Sequence, residues 1–210
     1  MPGARCIETD YLPDTSNDAC KRANILLRFR QVEGVGPSVL LLTLKIRQAD
    51  NGVLHFREYE TNLNTPNLKI IAIINDLLQA YTGLILSGTV LRAKTLKQVK
   101  AAIHTVGFTR HRILLSKYRE NFILGDDNAT IDYFPDDMGV YIEFESHTME
   151  ALRNRIKQVG FSLAAGTDTD YGDLLKLHKA GLQDQAQRTA LFSASEIKIL
   201  HGLMKESHGN

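Results

Sequence analysis

The sequence predicts an α+β fold built on an antiparallel sheet, and three observations predict it. Runs of apolar and β-branched residues with period 2 fill the first third of the chain and resume from Ile113. Stretches with apolar residues three to four apart lie between these strand groups and after them. Short turn signals join consecutive strands within each group; Asp50-Asn51-Gly52 is the strongest hairpin signal.

Taken in order, Cys6 to Tyr11 reads as a short strand and Asp14 to Asp18 as a turn. Ile25 to Gln31 alternates, with Leu27 and Phe29 opposite Arg28 and Arg30. Glu33-Gly34-Val35-Gly36-Pro37 turns the chain. Leu40 to Arg47 alternates again, with Leu42, Leu44 and Ile46 opposite Thr43, Lys45 and Arg47. Leu54 to Leu63 then sets Glu58 and Glu60 on one face, completing a meander.

Leu68 to Tyr81 and Thr95 to Val106 carry helical spacing, the second ended by Gly107. Leu84 to Arg92 fits a strand as well as a break between helices. Ile113 to Phe122, Ala129 to Phe134 and Val140 to Glu145 are strands, turning at Gly125-Asp126-Asp127-Asn128 and Pro135-Asp136-Asp137. Thr148 to Val159 is a helix ended by Gly160, and Tyr171 to His178 a short helix opened by Asp168 or Asp170. Ser195 to Met204 is the last helix, capped by Ser193 or Ser195, with Glu196 favourable in its first turn.

A length of 210 residues with 43% hydrophobic and 23% charged residues is ordinary for one globular domain with an extension. The net charge of +1, from 25 Lys+Arg against 24 Asp+Glu, argues against a broad nucleic-acid or anionic-membrane surface. Cys6 and Cys20 make neither a disulfide framework nor a zinc set, and both are expected to stay thiols in a reducing compartment. The N-terminus runs into no long apolar segment, and Val39 to Leu44 and Ile70 to Ile74 are too short to span a bilayer. A cytoplasmic protein is expected. There is no Gly-x-x-x-x-Gly-Lys loop and no Gly-x-Gly-x-x-Gly turn, so any phosphate is held by side chains.

The charged faces carry the functional signal. Arg28 with Arg30, Lys45 with Arg47, Lys117 with Arg119, Glu58 with Glu60 and Glu143 with Glu145 are pairs of one sign at i, i+2, opposite apolar residues. On a simple sheet this is the solvated side. In a barrel covered by outer helices the charged side faces the lumen, and same-sign pairs there need neutralisation. A polyphosphate neutralises Arg and Lys, a divalent hard cation neutralises Glu and Asp, and one metal–triphosphate satisfies both.

Leu27-Arg28-Phe29-Arg30, Leu42-Thr43-Leu44-Lys45, Arg57-Glu58-Tyr59-Glu60, Lys117-Tyr118-Arg119, Ile131-Asp132 through Tyr141-Ile142-Glu143-Phe144-Glu145, and Asp170-Tyr171-Gly172-Asp173-Leu174-Leu175 follow one another in that order. In order and spacing they resemble the CYTH domain of the triphosphate tunnel metalloenzymes, over roughly residues 6 to 177. Val106-Gly107-Phe108 and Tyr171 to Leu175 look most like class IV adenylate cyclases, with thiamine-triphosphatase-like and inorganic triphosphatase members close behind.

The resemblance implies an antiparallel eight-stranded tunnel barrel with a charged lumen and outer helices over residues 1–178, followed by a helical extension over 179–210. It implies phosphate contacts from Arg28, Arg30, Lys45, Lys117, Arg119 and Arg57, although alternation puts Arg57 on the face opposite Glu58. It implies Mg²⁺ or Mn²⁺ held by Glu143, Glu145, Glu58, Glu60 and Asp132. The expected partner is ATP, thiamine triphosphate or tripolyphosphate, with no nucleic acid or membrane. The implied reaction is ATP to cyclic AMP and pyrophosphate, or triphosphate hydrolysis.

One departure bears on that reaction. The family opens on a Glu-x-Glu-x-Lys strand, whereas this chain opens at what resembles the second strand, Ile7 to Tyr11. Glu8 and Asp10 have the carboxylate spacing, but Leu12 stands where the lysine would be. The first strand is therefore expected to be lacking, leaving a seven-stranded, incomplete barrel with an open edge for a covering segment or a homodimer. The alternative function is a catalytically inactive binder of triphosphate or polyphosphate.

Overall fold

The computed structural model describes residues 2–48, 55–124, 127–146, 148–162, 164, 166, 169–180, 182 and 188–206. The Asp50-Asn51-Gly52 turn, Gly125-Asp126 and Asp168 lie outside them. Seven antiparallel strands form one sheet: β1 (Pro2–Asp14), β2 (Ile25–Glu33), β3 (Val39–Gln48), β4 (His55–Asn62), β5 (Arg110–Leu124), β6 (Asp127–Tyr133) and β7 (Val140–Glu145). Their spatial order is β4-β3-β2-β1-β5-β6-β7, and the two-residue β8 (Thr189–Ala190) joins β5 in parallel. The sheet curls into a half-barrel. Among the described residues, β4 and β7 are its free edges.

Helices α1 (Ala19–Arg22), α2 (Leu68–Thr82), α3 (Gly88–Leu91) and α4 (Leu96–Ile103) pack outside the β1–β4 half. The region from Leu84 to Arg92 thus holds a loop and one short helix, not a strand. Caps set the boundaries. Asn67 accepts from the N–H groups of Lys69 and Ile70 at the start of α2, and Gly83 ends it at φ 75°. The fully buried Asp14 holds the start of α1 by accepting from the N–H groups of Cys20 and Lys21, and from that of Thr15 before it.

Alternation then sorts the side chains. Leu27 and Phe29 of β2, with Leu40, Leu42 and Leu44 of β3, point outward into the main core. There they meet Ile74, Leu78, Val99 and Ile103 from the helices, and each is at most 1% exposed. Removing such side chains from water is the main favourable term for this half. On β7 the pattern is not completed. Phe144 meets Phe161, but Val140 and Ile142 stay 56% and 42% exposed, so the apolar side of this strand is not covered by helices.

The C-terminal part covers other ground. Helix α5 (Met149–Gln158) starts at Thr148, which accepts from the Ala151 N–H. Helix α6 (Tyr171–His178) starts at Asp170, which accepts from the Asp173 N–H. Helix α7 (Ala194–Glu206) opens on a reciprocal pair: Ser193 Oγ accepts from the Glu196 N–H, and Glu196 accepts from the Ser193 N–H. Met204, Ile197 and Leu200 of α7 pack on Ile7 and Tyr118, on the outer face of β1 and β5.

Helix α6 instead lies across one end of the inner face. Its Leu175 and Leu174 join Leu12, Ile113, Leu115, Phe134 and Met138 in a second core. Gly172 makes this approach possible, since a Cβ there would stand 1.8 Å from Ile113 Cδ1 and 3.0 Å from its Cγ1. Gly172→Ala should therefore destabilise the fold by about 1–3 kcal/mol through overpacking. Thermal or urea denaturation checks this, and an unchanged melting temperature would show that Ile113 yields freely.

Candidate functional site

The side chains that alternation turns inward are mostly charged. Strand register brings them together: Asp10 lies opposite Arg30, Glu8 opposite Lys117, Thr43 opposite Glu60, Lys45 opposite Glu58 and Arg119 opposite Asp132. The result is one ionic belt across the concave face, from β4 to β7.

Its centre is water-poor. Asp132 is fully buried; Lys117 and Glu8 are 3% and 7% exposed. Arg119 donates to both Asp132 oxygens at 2.7 Å and to Glu143 at 2.6 Å. Lys117 donates to Asp132 at 3.0 Å, and the Tyr171 hydroxyl donates to the same carboxylate at 2.9 Å. Arg30 forks onto Asp10 at 2.6 and 2.7 Å. Glu8 Oε2 has Arg30 Nη1 at 2.8 Å, Lys117 Nζ at 3.4 Å and Arg119 Nε at 3.8 Å, all as ion pairs without hydrogen-bond geometry.

The β3–β4 flank is wetter. Arg28 lies 3.6 Å from Glu58 and 3.4 Å from Glu60. Lys45 meets Glu58 at 2.8 Å, and Thr43 donates to Glu60 at 2.8 Å. The Nε of Arg28 is buried without an acceptor among the described residues.

Charge and burial compete at each group. Burial pushes the Asp10 carboxyl up, but the charge and hydrogen bonds of Arg30 more than reverse this and hold it at about 2 against an ordinary 3.8. Burial also acts upward on Asp132, where the hydrogen bonds of Arg119 and the charge of Lys117 prevail and lower it. Burial opposes the charge on Arg30, and Asp10 restores it beyond the usual arginine range. Tyr171 is raised by burial and by Glu143, so its phenol stays protonated and acts as a donor.

The site residues expected from sequence are thus mostly, but not wholly, gathered. Arg28, Arg30, Lys45, Lys117 and Arg119 all face inward. So do Asp132, Glu143, Glu145, Glu58 and Glu60. Arg57 is not brought there: it pairs with Ile46 on the opposite face, its guanidinium 5.3 Å from the Tyr59 ring centroid. Arg47 keeps the inward register opposite Phe56 but is exposed.

Glu8, Asp10, Thr43 and Tyr171 belong to the belt without having been assigned to it from sequence. The spacing of Glu8 and Asp10 is visible in the sequence; their partners depend on the order of the strands. Tyr171 reads as a packing residue, and its ring does pack on Phe134 at 4.8 Å, but its hydroxyl reaches Asp132.

The donor chemistry of the carboxylates suits a hard divalent cation, but their arrangement does not. Glu58 and Glu60 stand on one free edge and Glu143 and Glu145 on the other, while both Asp132 oxygens are taken. No group of three or more His, Cys, Asp or Glu among the described residues is disposed to hold a metal. No described helix is long and apolar enough to cross a membrane.

No protein-family model matches the chain, and no curated protein is similar to it in sequence. Solved structures do share its fold. A Vibrio parahaemolyticus protein, provisionally assigned as an adenylate cyclase, superposes with a TM-score of 0.55 at 18% identity, over 82% of this chain and 81% of that one. A Pyrococcus horikoshii protein gives 0.50 at 17% identity, over 85% and 88%. The chain thus shares the fold of these two proteins.

The depressed Asp10 gives a pH prediction. Its contribution is fully present above the unfolded value near 3.8 and is lost as pH falls through about 2. Asp10→Asn should cost about 2 kcal/mol at neutral pH, and the gap to the unsubstituted protein should close as pH falls below about 4. Denaturation at stepped pH reads this; no gap at neutral pH would show that the pair contributes nothing, and a gap constant down to pH 2 that its contribution does not depend on the ionised carboxylate.

Proposed function

We propose that the ionic belt binds a triphosphate, with its exposed glutamates Glu58, Glu60 and Glu143 serving as exchangeable counterions. One observation supports this most: Arg28, Arg30, Lys45, Lys117 and Arg119 reach one concave face from three different strands. The arginine forks that grip Asp10 and Asp132 have the geometry that grips phosphate oxygens. The buried Arg28 Nε is a donor still lacking an acceptor among the described residues.

Exchange has a natural entry. Glu58, Glu60 and Glu143 side chains are 38%, 39% and 37% exposed, so they can turn to water when phosphate takes their cations. Asp132 and Glu8 cannot, and they keep Lys117 and Arg119 positioned. Lys117, 5.1 Å from the Tyr171 ring centroid, is held as a point charge at the floor of the belt. Binding through positioned cations is what phosphoryl chemistry chiefly requires of a protein. The family likeness adds turnover to this reading: ATP to cyclic AMP and pyrophosphate, or hydrolysis to orthophosphate.

Tripolyphosphate should raise the melting temperature by about 5 °C or more at a hundredfold excess over its Kd. Arg28→Gln and Lys45→Gln should each weaken binding roughly tenfold, as loss of a charged hydrogen bond does. The same samples, with ATP or thiamine triphosphate and with or without Mg²⁺ or Mn²⁺, are assayed for cyclic AMP, pyrophosphate and orthophosphate. Millimolar tripolyphosphate that shifts nothing, with or without the metals, ends the reading.

A further inference from the structure

The carboxylates buried in the belt are not all held alike. Asp10 gives both oxygens to the Arg30 fork, and Asp132 takes hydrogen bonds from Arg119, Lys117 and Tyr171. Glu8 has charge around it, but its Oε2 has no hydrogen bond among the described residues. That oxygen lies 2.8 Å from Arg30 Nη1, 3.4 Å from Lys117 Nζ and 3.8 Å from Arg119 Nε. All three cations are already bonded to Asp10 or Asp132. Strand order puts Glu8 among them: β1 runs between β2 and β5, and Glu8 lies opposite Lys117.

Asp10 and Asp132 therefore aim the guanidinium groups, while Glu8 holds its neighbours by charge alone. At 7% exposure that charge is little screened by water or salt. It is also permanent, because Glu8 cannot turn to water as Glu58, Glu60 and Glu143 can. Once those three have turned away, Arg28, Arg30, Lys45, Lys117 and Arg119 face Asp10, Asp132 and Glu8. Two positive charges are then left for a ligand, and without Glu8 there would be three.

We infer that Glu8 is a specificity-determining residue of the belt, limiting how much negative charge a bound phosphate chain can carry. The inference rests on the function proposed above and deepens it. A carboxylate fixed among the cations repels every charge laid beside it, so its cost grows with the charge of the ligand. Short phosphate chains lose little and longer ones lose more. Glu8 thus flattens the gain in affinity that each added phosphate would bring.

The test measures dissociation constants by calorimetry for orthophosphate, pyrophosphate and tripolyphosphate, with no divalent metal added. In the unsubstituted protein, tripolyphosphate should bind at most about tenfold tighter than pyrophosphate. Glu8→Gln keeps the size and removes the charge; it should tighten tripolyphosphate roughly tenfold and pyrophosphate less, widening that ratio. Its melting temperature should fall, since Arg30 loses a buried partner, and mere damage to the site does not raise affinity. Glu8→Asp keeps the charge and should keep the ratio. Asp76→Asn removes one charge from the exposed side of α2 and should leave each constant within about twofold. Tripolyphosphate affinity that falls or stays level in Glu8→Gln overturns the inference and leaves the belt standing. So does a larger preference for tripolyphosphate in the unsubstituted protein, a measurement that needs no variant to fold. If no phosphate chain binds at all, both fall together.

Discussion

Asp132 is the constraint on which the inner face depends. A carboxylate with no exposure stays ionised only if cations and donors replace the water it has lost. Here β5 sends Lys117 and Arg119, and α6 sends the Tyr171 hydroxyl. One side chain thereby ties β6 to its neighbour and to the helix that covers the end of the groove. Arg119 then carries the linkage on to Glu143 on β7, and Glu8 joins it to Arg30 on β2. Breaking a buried pair costs more than never having built it, and removing Asp132 would take the shared acceptor from Lys117, Arg119 and Tyr171 at once.

The same face is layered along the strands. Leu12, Ile113 and Leu115 form an apolar floor under α6, the belt lies above it, and Cys6, Val32 and Leu41 form an apolar rim. Period-2 alternation produces the two faces of the sheet; the change of residue type along one face produces the layers. A groove built in this way offers different chemistry at different depths without any change of fold.

Much of this was legible in the sequence because it is local. Alternation assigned Arg28, Arg30, Lys45, Lys117, Arg119, Glu58, Glu60 and Glu143 to one side of their strands, and the structure keeps them there. Less legible was what each would meet. The like-signed pairs seemed to demand outside counterions, yet β1 inserts between β2 and β5 and supplies Glu8 and Asp10. That placement is a matter of strand order, to which periodicity is blind. Tyr171 escaped for a related reason: its polar role depends on how close α6 comes, and that is set by the missing side chain at Gly172. The apolar run of β7 implied a covered face, but its cover depends on segments distant in sequence, and Val140 and Ile142 stay bare.

The two edges that are free among the described residues carry glutamates on their inner sides, Glu58 and Glu60 on β4 and Glu143 and Glu145 on β7. Zipping one edge onto the other would set acid against acid, so the seam is electrostatically unwilling to shut. With that flank unsealed among the described residues, a ligand of the belt as proposed above, even one bulky at both ends, would be laid in from the side instead of being threaded.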